Sequence, residues 1–189
     1  MKKVVGILAL AGIGAFIAVV IVLHFVQPGY NASSQLMSEL ALGPHGSWMF
    51  IAFAGFALAA FSVQLGLGQL GAQWPIRALL VIASLGLLGA GVFRLGQFDL
   101  VHISLVTVAF IALVLSMCLF ARSSVGSRGL SFISWVLAAT TSFSVAAGHS
   151  LMPLGVSQRL GAGSALAWLL LVALCLVRSK QGKGTGAWS

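Results

Sequence analysis

Acidic residues are almost absent from this sequence. Among its 189 residues there are two acids and ten Lys or Arg, so charged residues make up only 6% of the chain. A soluble domain carries about a quarter charged residues because its surface must face water. This scarcity, together with 60% hydrophobic residues and a mean hydropathy of +1.11, excludes a soluble globule and predicts a protein surrounded by lipid.

A disulfide framework and a basic stripe are also missing. The two cysteines, Cys118 and Cys175, lie inside apolar runs and neither belongs to a CxxC motif, so we interpret them as small core residues. The formal net charge is +8, but the basic residues are scattered between apolar spans. That distribution argues against nucleic acid as a partner and leaves membrane lipids as the expected one.

Six apolar runs are long enough to cross a membrane, which takes about 20 residues. They cover residues 4–25, 47–67, 75–93, 102–121, 130–148 and 160–177. The connections between them are short, so consecutive helices should pack as antiparallel neighbours. The sequence therefore predicts an all-α polytopic membrane protein, in which residues 1–178 form one domain, a six-transmembrane-helix bundle.

The basic residues predict the orientation of this bundle. With the N terminus in the cytoplasm, eight Lys or Arg fall on the cytoplasmic side, and only Arg94 and Arg159 fall outside. Positive residues are enriched on the cytoplasmic side of membrane proteins, so both termini are predicted there. Residues 179–189 are basic and Gly-rich, which predicts a disordered cytoplasmic tail near anionic headgroups.

The first outer loop, about residues 26–46, is the longest connection. Its Pro-Gly pairs and Asn31 resemble the start and stop signals of a short helix. We expect a short interfacial helix that forms a lid over the outer mouth of the bundle. This lid would carry Tyr30, Ser38 and Glu39 toward the other polar groups.

With this topology the remaining ionisable residues collect at the outer side, which holds both acids, all four histidines and two arginines. Ionisable groups at membrane depth are costly, so such a cluster indicates a functional site. The candidate ligand-binding residues are Tyr30, Ser38, Glu39, Arg94, Asp99, His102 and Arg159. The alternative is that these side chains simply snorkel or form ion pairs, Arg94 with Asp99 and Arg159 with Glu39.

A cluster of mixed sign favours binding of a lipid headgroup or a small polar ligand. Arg94 and Arg159 would be the cationic contacts, and Glu39 and Asp99 would orient the ligand. Small residues four apart, such as Gly14 and Ala18, let helices approach closely in lipid. They fit packing within the bundle, a homo-oligomer, or an accessory subunit of a larger membrane complex.

Two alternatives involve a cofactor, so whether the protein is an enzyme stays open. His102, His149 and Asp99 could hold Zn²⁺, with Glu39 as general base of a metal-dependent membrane hydrolase. Two of the histidines could instead hold a single haem, or the protein could perform quinone redox chemistry. The sequence contains no HxxxH or HExxH pair, so the leading expectation is binding without a cofactor.

Four short motifs resemble the domain-of-unknown-function 998 family of small bacterial and archaeal integral membrane proteins. They are Tyr30, Ser38-Glu39-Leu40, Gly91 to Asp99 with His102, and Gln158-Arg159. The resemblance covers about residues 6–178. It implies a multi-pass protein of the prokaryotic cytoplasmic membrane and no particular activity. The polar signature residues that it implies are Glu39, Asp99, His102 and Arg159.

Overall fold

Six long helices, joined by short connections, make up most of the molecule. The structure is a computed structural model and describes residues 1–148 and 150–179. The helices are α1 (Lys2–Val26), α2 (Met49–Gly68), α3 (Trp74–Val92), α4 (Asp99–Arg122), α5 (Arg128–Ala147) and α6 (Leu154–Arg178). All six are long and apolar enough to cross a membrane. The predicted all-α six-helix architecture is therefore confirmed, and most of the predicted tail, residues 180–189, lies outside the described residues.

The helices close into a ring. Each packs against its neighbours in sequence, α1 also packs against α6, and α2 touches α6 across the ring. The membrane-crossing stretch that includes α2 is 67% buried, whereas those of α4 and α5 are each 33% buried. The ring is therefore tightly packed around α2 and α6, and loosely packed where α4 meets α5.

Close packing of backbones sets the α1–α2 contact. A Cβ atom on Gly12 would lie 2.3 Å from the carbonyl oxygen of Gly55, and one on Gly55 would lie 2.6 Å from that of Gly12. Only glycine permits this approach, which small residues provide in lipid-embedded helices. A Cβ atom on Gly14 would meet open space. The close contact of α1 is therefore at Gly12, two residues before Gly14, whose spacing from Ala18 predicted a close approach.

Residues 27–48, called the lid below, cover one end of the ring. A six-residue 3-10 helix, Met37–Leu42, forms its centre, and a second short turn, Gly46–Trp48, leads into α2. Leu40 is fully buried and Met37 is 8% exposed, so this short helix is anchored through its apolar side. The predicted short helix in the first loop is confirmed.

The last helix begins at Leu154, six residues before the apolar run that predicted it. Pro153 precedes its first residue in an extended conformation (ψ 142°) and so marks the boundary. Ser157, Gln158 and Arg159 occupy the first turns of α6, and their polar side chains are what kept them out of the apolar run. In the structure these residues meet the lid.

Candidate functional site

Arg159 connects the lid to two helices. Its Nη1 donates hydrogen bonds to the carbonyl oxygens of Gln35, at 3.1 Å, and Gly155, at 2.9 Å. Its Nη2 lies 2.6 Å from the hydroxyl of Tyr30 and 3.0 Å from Nε2 of His24. The guanidinium thus contacts α1, the lid and its own helix, and all four partners are uncharged groups of the protein.

Tyr30 and His24 complete this network. The Tyr30 hydroxyl donates to the carbonyl of Leu36 at 2.8 Å, and the His24 ring meets the Tyr30 ring edge-on, with centroids 5.0 Å apart. Nδ1 of His24 lies 2.6 Å from the carbonyl of Val20 and donates to it, which leaves Nε2 to accept from Arg159. Burial raises the pKa of the Tyr30 phenol, and the neighbouring Arg159 partly offsets that rise.

Glu39 stabilises the lid from within. Its carboxylate accepts the backbone N–H of Leu36 at 2.9 Å and the side-chain amide of Gln35 at 3.2 Å. The first interaction caps the short helix in the manner of a capping box. Ser38, one residue earlier, is 3% exposed and lines a small cleft beneath the lid.

Two further candidates lie apart from Arg159, at the turn between α3 and α4. Asp99 is exposed and accepts the backbone N–H of Gly96 at the start of α4. Arg94 is half-buried and lines a hollow of about 200 Å³ together with Leu42 of the lid and Gln97. These two residues therefore flank the lid on the side of α3 and α4.

His102 is an interior residue, 2% exposed. Its Nδ1 lies 2.9 Å from the carbonyl of Ala90 and 3.0 Å from that of Phe93, so it joins α4 to the end of α3. Its ring packs edge-on against Phe53, with centroids 5.4 Å apart. The other ring nitrogen, Nε2, is buried and has no hydrogen-bond partner in the described part of the chain.

The structure thus brings Tyr30, Glu39 and Arg159 together at the lid and places Arg94, Asp99 and His102 elsewhere at the same end of the bundle. The predicted zinc site also requires His149, which lies outside the described residues. Among residues 1–148 and 150–179, no three His, Cys, Asp or Glu side chains are grouped as metal ligands would be. The zinc and haem alternatives remain predictions.

One further cavity was not predicted from the sequence. It is a groove of about 470 Å³ between α4, α5 and α6, next to Leu36 of the lid, and lies in the size range of small-molecule sites. Its apolar side chains come mainly from α4: Val106, Phe110, Ile111, Val114 and Leu115. We refer to it as the groove.

The polar groups of the groove are neutral hydroxyls and one carboxamide. The hydroxyls of Thr141, Ser142 and Ser144 donate to carbonyl oxygens of α5 at 2.7 to 2.9 Å, as such side chains commonly do in helices. No charged side chain occurs in the described lining. On α6 the groove is lined by Ser157 and Gly161, and this pair of small residues four apart is the sequence signal for this face.

The groove opens sideways, between α4 and α5. Ile111, Leu115 and Val145 line it and are nevertheless 55%, 47% and 63% exposed. Ile111 and Leu115 lie near the middle of α4, and Val145 lies near the end of α5. The groove is therefore open to the outer surface of the bundle along these two helices.

Comparison with curated proteins and with solved structures finds no match. A family model does match, over residues 10–175, a range that contains the lid, the Arg159 network and the groove. This match confirms the resemblance found in the sequence. The chain therefore belongs to the family described as "Protein of unknown function (DUF998)".

Proposed function

We propose that this protein binds a membrane lipid, whose hydrocarbon chain occupies the groove between α4, α5 and α6. The observation that carries the proposal is a neutral, mainly apolar cavity of about 470 Å³ that opens toward the lipid-facing surface. The groove is long enough for part of a hydrocarbon chain. Its lining on α4, from Val106 to Leu115, covers roughly 13 Å of helix axis at 1.5 Å per residue.

Packing also supports a lipid chain as the occupant. An unfilled apolar cavity forfeits the dispersion contacts of its lining, and dense packing is the rule in protein interiors. A groove that opens into a bilayer is surrounded by hydrocarbon chains that can restore those contacts. Water is a poor alternative along the α4 wall, where Phe110, Ile111, Val114 and Leu115 offer it no hydrogen-bond partner.

The lid end of the bundle is assigned to the outer face of the prokaryotic cytoplasmic membrane, with both termini in the cytoplasm. The support is the charge distribution, since eight Lys or Arg then lie on the cytoplasmic side. In this arrangement Arg94 lies beside the lid at headgroup level, where it can contact an anionic group. The guanidinium of Arg159 serves instead to fix the lid over the bundle.

Filling the groove tests the proposal. Val114→Trp inserts a large side chain into the groove, and Val108→Trp makes the same change at an exposed position of α4 outside it. In Val114→Trp the indole would occupy space that the lipid chain needs, so the bound complex is overpacked. Overpacking costs about 1–3 kcal/mol, and this variant should therefore bind lipid roughly five- to 150-fold more weakly. Bound lipid is measured by native mass spectrometry after purification in mild detergent.

The expected result is lipid on the wild type and on Val108→Trp, with most of it lost from Val114→Trp. Equal lipid retention by the two tryptophan variants would contradict the proposal. Thermal unfolding of both proteins in detergent verifies that each remains folded.

A further inference from the structure

Gln158 links the lid to the groove. It lies in the first turns of α6 and lines both the groove and the small cleft beneath the lid. Its Oε1 accepts the backbone N–H of Met37, at the start of the short lid helix. A backbone N–H can only donate, so this bond determines which end of the carboxamide is oxygen and which is nitrogen.

The orientation of the carboxamide leaves its Nε2 amide as a donor at the lid end of the groove. The neighbouring Ser157 hydroxyl donates to the carbonyl of Ser144, and the α5 hydroxyls donate within their own helix. Because their protons are already used, these hydroxyl oxygens can only accept a hydrogen bond from a ligand, through their free lone pairs. This end of the groove therefore offers the Gln158 amide as a donor beside several acceptors, while the remaining hydroxyl of the lining, Thr107, is exposed on α4.

We infer that Nε2 of Gln158 donates a hydrogen bond to an uncharged oxygen of the bound lipid, a hydroxyl or an ester carbonyl. The inference rests on the proposed lipid site and names the class of lipid. A carboxylate or phosphate in the groove would be desolvated without a cation in the described lining, which is costly. A neutral oxygen pairs with the amide and leaves no buried charge.

Three photoreactive probes with the same hexadecyl chain test this inference: a hydrocarbon, an alcohol and a carboxylic acid. Each is crosslinked to the full-length protein in nanodiscs, and labelling of groove peptides is quantified by mass spectrometry. The wild type should favour the alcohol over the hydrocarbon by about two- to tenfold, the contribution of one hydrogen bond. The acid should show no preference over the hydrocarbon.

Two variants remove the donor. Gln158→Glu keeps an oxygen for the Met37 N–H and lacks the amide. Gln158→Met removes both the oxygen and the amide. Both should lose the preference for the alcohol while the hydrocarbon probe still labels the groove. A preference that persists in both variants, or a wild type that favours the acid, overturns the inference. Absence of saturable labelling of the wild-type groove by any probe would instead overturn the proposed function.

Discussion

At the scale of single residues, the unusual feature is a guanidinium near the membrane surface that is satisfied by neutral partners. Arg159 is half-buried and bonds to two carbonyls, a hydroxyl and an imidazole. The planar fork of an arginine presents donors in several directions at once, which a lysine ammonium does not. The residue can therefore join three segments through four hydrogen bonds, none of which is made to an acid.

Tyr30 is the only tyrosine in the chain, so its ionisation can be followed without interference. Burial raises its pKa above the usual value of about 10. A raised pKa means that the folded state favours the neutral phenol. The resulting stabilisation is complete below the unfolded-state pKa and is lost as the pH rises through the folded-state pKa.

We therefore predict that the phenol titrates above its usual pKa in the folded protein, and that the lid loosens only at alkaline pH. The titration is measured by ultraviolet absorbance in detergent, with the unfolded protein as reference. In Arg159→Gln, a pKa above that of the wild type would report loss of the offsetting charge with the lid still in place, and a fall toward the unfolded-state pKa would report that Arg159 holds the lid. A folded-state titration at or below that of the unfolded chain would show that Tyr30 is not buried in the network.

The sequence predicted that Tyr30, Glu39 and Arg159 share one end of the bundle, because topology alone determines which end of a helix a residue occupies. It could not determine the helix face. Rotation about each helix axis is set by packing, and this rotation turns His102 inward, against the carbonyls of α3. Glu39 bonds to its own lid segment, a local interaction that hydropathy and charge patterns do not reveal.

At the scale of elements, the lid and the first turns of α6 form one hydrogen-bonded unit. The backbone N–H of Val156 donates to the carbonyl of Ser33 at 3.2 Å, next to the bonds made by Gln158 and Arg159. A Cβ atom on Gly155 would lie 2.4 Å from the carbonyl oxygens of Ala32 and Gln35. The lid backbone therefore rests directly on this glycine.

Gly155→Ala should displace the lid, since backbone atoms cannot move aside as a flexible side chain can. The expected cost is about 1–3 kcal/mol, seen as roughly five- to 150-fold faster hydrogen exchange of the backbone amides of residues 31–42. Gly163→Ala is the matched control, because a Cβ there meets open space in the same helix. Equal exchange rates in the two variants would show that the lid does not depend on this contact.

Hydropathy predicted all six long helices but not the groove. Thr141, Ser144 and Ser157 satisfy their hydroxyl protons on carbonyl oxygens, so they fit in apolar helices without interrupting them. A neutral polar face therefore leaves almost no trace in a hydropathy profile. The cavity exists because α4 and α5 pack loosely, and this depends on side-chain volumes across three helices.

At the scale of the whole molecule, the orientation in the membrane decides from which leaflet the proposed lipid is drawn. The groove runs from the lid toward the middle of the ring. Six of the described basic residues lie at the end opposite the lid (Lys2, Lys3, Arg77, Arg122, Arg128 and Arg178), and Arg94 and Arg159 lie at the lid end. If the positive-inside rule holds for this chain, the lipid enters from the outer leaflet. The reverse orientation would open the groove to the inner leaflet and place the lid in the cytoplasm.

Cysteine labelling in intact cells determines this orientation. Ser34 is exposed in the lid, and Ser124 is exposed in the connection between α4 and α5. Each is changed to cysteine in a background that carries Cys118→Ala and Cys175→Ala, which removes both native thiols. A membrane-impermeant maleimide should modify Ser34→Cys in intact cells and Ser124→Cys only after permeabilisation. The reason is that six of the described Lys and Arg residues lie at the end opposite the lid, and such an excess favours the cytoplasmic side. The opposite pattern would place the lid in the cytoplasm and leave the groove itself intact, so the lipid would then be drawn from the inner leaflet.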